Sequence, residues 1–209
     1  MSSVPHSYIS VEEYLAREDG AEIKSEYYRG EVFAMSGGTR NHATIVGNIY
    51  HQLRLGLRGK PCRPANSDQR IYIPKIGLHT YPDVSVTCGP PQSEKVDPQA
   101  NTNPTLLVEV LSSSTETYDR THKFDFYKQL PSLQEYVLVS QNEARVERYS
   151  RREDGWLMFT ALGCDSEISL ESIGCRLSLA DVYEGVELSP VNQQASPSVV
   201  IDSSRRPHA

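Results

Sequence analysis

The chain has 209 residues, with 27 acidic and 21 basic side chains and a formal net charge of −6. That length suits one domain whose core needs no disulfide or structural metal. The acidity argues against a protein that coats nucleic acid without specificity, and no apolar run approaches the roughly 18 residues of a membrane-crossing helix.

The first residues, Met1 to His6, lack the basic and apolar regions of a secretory signal, so a cytoplasmic location is expected. Ser10-Val11-Glu12-Glu13 forms a capping box and predicts a helix through about Glu18. Residues 23–28 and 31–35 flank Arg29-Gly30 and predict a hairpin. After a break at Gly37-Gly38, Ile45, Ile49, Leu53 and Leu57 recur at i, i+4 spacing and predict a helix ended by Gly59 and Pro61. Strands are expected over residues 70–73 and 81–86, and an exposed loop over 89–103, where Gly, Pro, Asn and Ser gather. Residues 106–111 are almost wholly apolar and read as a central strand covered on both faces. A helix from Thr115 to about Leu130 follows, stopped by Pro131. Residues 135–139 and 144–149 read as strands, and residues 155–187 hold shorter strands and a short helix at 178–183. Residues 1–188 thus form one domain, and 189–209, rich in Pro, Gln, Ser, Asn and Arg, are expected to be a disordered tail. Cys62, Cys88, Cys164 and Cys175 are scattered without a C-x-x-C pair, so four reduced thiols and no zinc site are expected.

Glu109 lies inside the apolar strand. A buried carboxylate costs several kcal/mol unless paired or metal-bound, so it is either a core ion pair or a functional group. Asp83 begins a neighbouring strand; alone it reads as a turn residue, but two carboxylates on adjacent strands can share one divalent cation, with the Val110 carbonyl as a further oxygen ligand. Asp119, Lys123 and Tyr127 follow at i, i+4, i+8 and share one helix face. They read either as a solvated Asp–Lys pair or as a cation brought beside the two carboxylates.

Pro82-Asp83, Glu109-Val110-Leu111-Ser112 and Lys123 resemble the PD-(D/E)XK nuclease superfamily, and more specifically its Uma-two family of restriction-endonuclease-like proteins. Glu26, Arg29-Gly30-Glu31, Met35, Gly37-Gly38, His42 and the strand at residues 135–139 follow the family pattern in order, so the resemblance spans about residues 8–185. It implies a restriction-endonuclease-like α/β fold of mixed α+β type, a mixed central sheet flanked by helices. It also implies that the lysine expected two positions after the glutamate, replaced here by Leu111, has its role taken by Lys123.

Between Glu31 and Asp68 no acidic residue occurs, while Arg40, Arg54, Arg58, Lys60 and Arg63 do. This run is either one side of a solvated helix or a face that grips phosphates, with Arg40, Arg54, Arg58 and Lys60 as its nucleic-acid contacts. His42 is a helix cap, a general acid or base, or a group that supports Glu26.

The function expected from these residues and the resemblance is a Mg²⁺- or Mn²⁺-dependent endonuclease acting on nucleic acid, DNA in the first instance. Asp83, Glu109 and Val110 hold the metal, Glu26 is an auxiliary carboxylate, and Lys123 stabilises the transition state. His42, Asp119 and Tyr127 support them. A homodimer suits the cutting of both strands of a duplex. The rival is a nuclease-fold binding or assembly protein without turnover.

Overall fold

The computed structural model describes residues 8–35, 37–112, 115–188 and 198–200. The capping box opens α1 (Val11–Glu18) as the sequence predicts, the Ser10 hydroxyl accepting the Glu13 N–H at 3.2 Å. β1 (Ser25–Tyr28) and β2 (Glu31–Ala34) form the expected hairpin. Arg29 and Gly30 both adopt positive φ, 51° and 90°, the left-handed pair whose twist suits a two-residue hairpin turn. α2 (Arg40–Gly56) follows, with Ile45, Ile49 and Leu53 fully buried. Each such side chain contributes about 2 kcal/mol of transfer free energy.

Six strands come next in two sheets: β3 (Cys62–Asn66), β4 (Ile71–Ile73), β5 (Leu78–Thr80), β6 (Val84–Cys88), β7 (Leu106–Leu111) and β8 (Glu135–Ser140). Between β7 and β8 the chain forms α3 (Glu116–Tyr118), a π-helical turn (Asp119–Lys123) and α4 (Phe124–Tyr127). The rest is β9 (Arg145–Arg152), β10 (Gly155–Leu162), the small hairpin β11 (Glu167–Leu170) and β12 (Cys175–Ser178), α5 (Leu179–Val182) and β13 (Ser198–Val200). The main sheet has the order β13-β10-β9-β8-β7-β6-β3, and β2-β1-β5-β4 form a second sheet. Every pairing in the main sheet is antiparallel except β7 with β8. A parallel pair requires a crossover, and here the crossover is the helical segment that carries Lys123. The architecture is therefore the mixed central sheet flanked by helices that the resemblance implies.

The parity of β7 assigns its residues to two cores. Leu106, Val108 and Val110 pack with the α2 stripe. Leu107 and Leu111 pack on the opposite face with Tyr127 and Leu130. Successive strand side chains alternate, so Glu109 projects toward the crossover helix.

Four expectations are corrected. Residues 62–66, given no strand above, form β3 at the sheet edge, where Pro64 is tolerated. The predicted helix from 115 to 130 is instead broken into two short α segments by the π turn. Residues 89–103 are not wholly exposed, since Asp97 and Asn101 are buried. Arg70 donates to both Asp97 oxygens at 2.6 and 2.9 Å, and His79 Nδ1 lies 3.1 Å away. Burial pushes the Asp97 carboxyl up, but the hydrogen bonds with His79 and Arg70 outweigh it and hold the group well below the usual carboxylate range. Finally, Ser198–Val200, inside the expected tail, pairs with β10; residues 189–197 and 201–209 lie outside the described residues.

The cysteines also differ from expectation. Cys62 and Cys88 face each other across β3 and β6 and form a disulfide, while Cys164 and Cys175 are free. Only the strand register reveals that juxtaposition, and it removes the cysteine argument for a reducing compartment. No described helix is long and apolar enough to cross a membrane. The bridge spans 26 residues, so closing that loop in the unfolded chain is worth roughly 3 kcal/mol. Cys88→Ser is expected to lower the denaturation midpoint accordingly and to abolish the effect of added reductant. A midpoint equal to that of the oxidised parent would show that the bridge contributes nothing.

Candidate active site

Val84 pairs with Val108 in the β6–β7 ladder. One step further along the same register, Asp83 comes level with Glu109. Asp83 Oδ2 accepts the Val110 N–H at 2.7 Å, which fixes the carboxylate against β7. His42, in the first turn of α2, places Nε2 3.2 Å from the same oxygen. The start of α2 is itself tied to β7: the Thr39 hydroxyl caps the helix and donates to Gln141 Oε1, and Gln141 Nε2 donates to the Leu111 carbonyl at 2.9 Å. Gln141 was not singled out from the sequence; its separation of 102 residues from Thr39 gives no local signal.

From the crossover segment, Lys123 Nζ lies 2.9 Å from Glu109 Oε1, 3.6 Å from Glu26 Oε1 and 3.8 Å from Asp119 Oδ1. The Tyr127 hydroxyl donates to Glu109 Oε1 at 2.7 Å. Glu26 projects from β1 and accepts the Thr80 hydroxyl. The π turn holds this arrangement. Its Asp119 carbonyl accepts the Tyr136 hydroxyl at 3.1 Å, and Arg120 on its outer side pairs with Glu116 and with buried Glu147. Such turns recur at functional sites because they turn side chains out of the α-helical register.

Burial pushes the Glu109 carboxyl up to about 8, against the opposing pull of the Lys123 ammonium and with a further push from Asp83 and Asp119. Burial also works against the charge on Lys123, but Glu109, Glu26 and Asp119 outweigh it and hold the ammonium well above the ordinary lysine range. Burial raises Asp119 as well, with Lys123 opposing. The hydrogen bond to Asp83 raises His42, against burial. The site is thus one buried cation among carboxylates that exceed it in number.

These groups line one cavity of about 320 Å³, together with Phe33, Met35, Tyr118 and Gln141. Its candidate oxygen ligands are the Asp83 and Glu109 carboxylates, and Val110, whose carbonyl would be the third, also lines it. Protein donors engage only Oδ2 of Asp83 and Oε1 of Glu109 among the described residues. Among the described residues no three His, Cys, Asp or Glu side chains converge as a metal site. Two carboxylates, a carbonyl and water suit magnesium, which accepts few protein ligands, and do not suit zinc.

The structure brings together Glu26, His42, Asp83, Glu109, Val110, Asp119, Lys123 and Tyr127. It separates Arg54 and Arg58 from them, but not Arg40. Arg54 and Arg58 line a second cleft of about 250 Å³ with Arg63, at the opposite end of α2. That helix has 17 residues, so the two ends lie about 25 Å apart. Lys60 donates to the Gly174 carbonyl, and Arg40 opens α2 between two cavity-lining residues, Thr39 and His42.

A family model described as "Putative restriction endonuclease", Uma2, matches residues 11–180. The chain belongs to the Uma2 family. Two relatives in Synechocystis sp. bear the name "Uncharacterized protein". One, slr1290, is 40% identical over 185 residues, covering 88% of this chain and 96% of the relative. The other, sll1609, is 37% identical over 161 residues, covering 77% and 91%. A crystal structure from Anabaena variabilis, titled as a "putative nuclease belonging to DUF820", superposes with a TM-score of 0.68 at 18% identity, over 86% of this chain and 99% of that one. At that identity the likeness establishes the shared fold.

Proposed function

We propose that this Uma2 protein is a metal-dependent nuclease that hydrolyses phosphodiester bonds, with DNA as its first candidate substrate. The observation that carries this reading is the meeting of Asp83, Glu109 and Lys123 in one cavity from three separate elements. In this reading Asp83, Glu109 and the Val110 carbonyl hold magnesium or manganese. A divalent ion so held supplies polarisation of the scissile phosphate and a water of lowered pKa. The Val110 N–H and His42 orient the Asp83 carboxylate, and the Tyr127 hydroxyl orients Glu109. Lys123 donates from Nζ to the phosphate oxygens as their charge grows in the transition state. Glu26 and Asp119 keep that ammonium charged and aimed. The test is incubation of the purified chain with plasmid, single-stranded DNA and RNA in magnesium, manganese or EDTA. Cleavage that requires the cation supports the reading; intact substrates under all metal conditions, with nucleic acid still bound, favour the non-cleaving rival.

The Arg54–Arg58–Arg63 cleft fits a backbone-gripping role remote from the chemistry, since phosphate contacts release counterions. Replacing the three arginines with glutamine is expected to weaken binding and to reduce the slope of log affinity against log salt by about 2–3. A slope equal to the parent's would place the phosphate contacts elsewhere.

A further inference from the structure

We propose that Phe33 and Tyr118 clamp an unpaired nucleobase at the mouth of the catalytic cavity, so that the enzyme acts on single-stranded segments in preference to intact duplex. This rests on the nuclease reading above and specifies its substrate class.

Phe33 is 48% exposed and Tyr118 38% exposed, and both line the cavity that holds Asp83, Glu109 and Lys123. Exposed rings of this size are costly in water, and here two of them open on one site. Their placement follows from the chain. Phe33 pairs with Glu26 in the β1–β2 register, and directly opposed residues of an antiparallel pair share a face. Tyr118 immediately precedes the π turn and lines the same cavity as Glu26. The two rings therefore approach Glu26 from different elements, one from the hairpin and one from the crossover helix. Tyr118 is braced by the His122 ring, stacked at 6.1 Å and 17°.

The rest of the cavity favours the same occupant. Glu109 and Lys123 are only 4% and 7% exposed, so a scissile phosphate must be drawn inward to meet them. A cavity of about 320 Å³ is of small-ligand size, the scale of one nucleotide rather than of stacked base pairs. Its wall carries Glu26, Asp83, Glu109 and Asp119 against Lys123 and His42, so it offers little of the basic rim that grips both strands of a duplex. Stacking on aromatic faces supplies affinity without such a rim, and it is sequence-tolerant because every base has a π-face.

The test uses the full chain and oligonucleotides carrying one 2-aminopurine, as DNA and RNA, single-stranded and duplex. Binding is read as fluorescence quenching in EDTA, and cleavage is then followed with magnesium. The parent is expected to quench the single strand and to bind it at least about tenfold more tightly than the duplex. Phe33→Ala and Tyr118→Ala should each weaken that binding on the order of tenfold. Phe33→Leu, which keeps apolar bulk without a π-face, should behave like Phe33→Ala, and Phe33→Trp should retain binding. Equal affinity for duplex and single strand, or parental quenching by Phe33→Leu, overturns the clamp. Cleavage that ignores both rings overturns the clamp and leaves the nuclease. Ring-dependent quenching without cleavage in any metal overturns the nuclease reading and leaves the clamp. Comparing the DNA and RNA arms identifies which sugar the site accepts.

Discussion

Replacing Lys123 with methionine is expected to reduce cleavage on the order of 10²–10³-fold while magnesium still binds. The ammonium acts on charge that develops in the transition state and is not a cation ligand. The same substitution is expected to cost stability. Lys123 is held by Glu109, Glu26 and Asp119 and is 7% exposed. Removing it leaves buried carboxylates without their cation, a loss of about 3 kcal/mol by the usual cost of breaking a buried ion pair. The loss should be larger above about pH 8, where Glu109 is ionised, and smaller below it, where Glu109 holds a proton. Single-turnover cleavage, calorimetric magnesium titration and denaturation at several pH values measure the three effects. A variant that cleaves at the parental rate would remove Lys123 from the chemistry.

Glu109→Gln is expected to do the reverse to stability. It should abolish cleavage and magnesium affinity, because a ligand is lost, yet make the metal-free protein more stable. The folded-state carboxyl is raised from 4.5 to about 8. Below about 4.5 both the folded and unfolded chains carry this proton, so it contributes nothing. Between 4.5 and 8 the unfolded chain releases a proton that the folded chain retains, and stability falls as pH rises, by up to about 1.4 kcal/mol per pH unit. Above about 8 the penalty levels off. Glutamine escapes it and still offers Tyr127 an acceptor. The melting temperature of Glu109→Gln minus that of the parent, both in EDTA, should therefore grow from pH 4 to pH 8. A constant difference would mean that Lys123 keeps Glu109 ionised throughout.

Much of this was legible in the sequence because the signals were local. The capping box at Ser10, the α2 stripe and the Arg29-Gly30 turn each state their structure within a few residues. Glu109 announced itself by sitting in an apolar strand, and the spacing of Asp119, Lys123 and Tyr127 placed them on one face. The alternative of a solvated Asp–Lys pair fails on burial, since Asp119 and Lys123 are both enclosed. What stayed hidden depends on partners distant in the chain. Cys62 meets Cys88 only through strand register, Asp97 is buried only because Arg70 and His79 wait for it, and Gln141 reaches Thr39 and Leu111 across the sheet. The basic run from Arg40 to Arg63 looked like one surface. Helix α2 carries its members to opposite ends, and Lys60 is occupied by a backbone carbonyl.

The π turn at Asp119–Lys123 has a consequence for how such a scaffold varies. An α-helix advances about 100° per residue, so gaining or losing one residue in that turn re-aims every side chain on one side of it. The flanking helix can keep its packing face on the sheet, because the slip is absorbed in a single turn. Strand β7 cannot do this: a one-residue slip there would send Glu109 into the opposite core and break the ladder on both sides. The carboxylates are therefore fixed by the sheet, whereas the cation sits on an adjustable mount. A lineage built on this frame can change where its positive charge comes from by inserting or deleting one residue, without rebuilding the edge that carries Asp83 and Glu109.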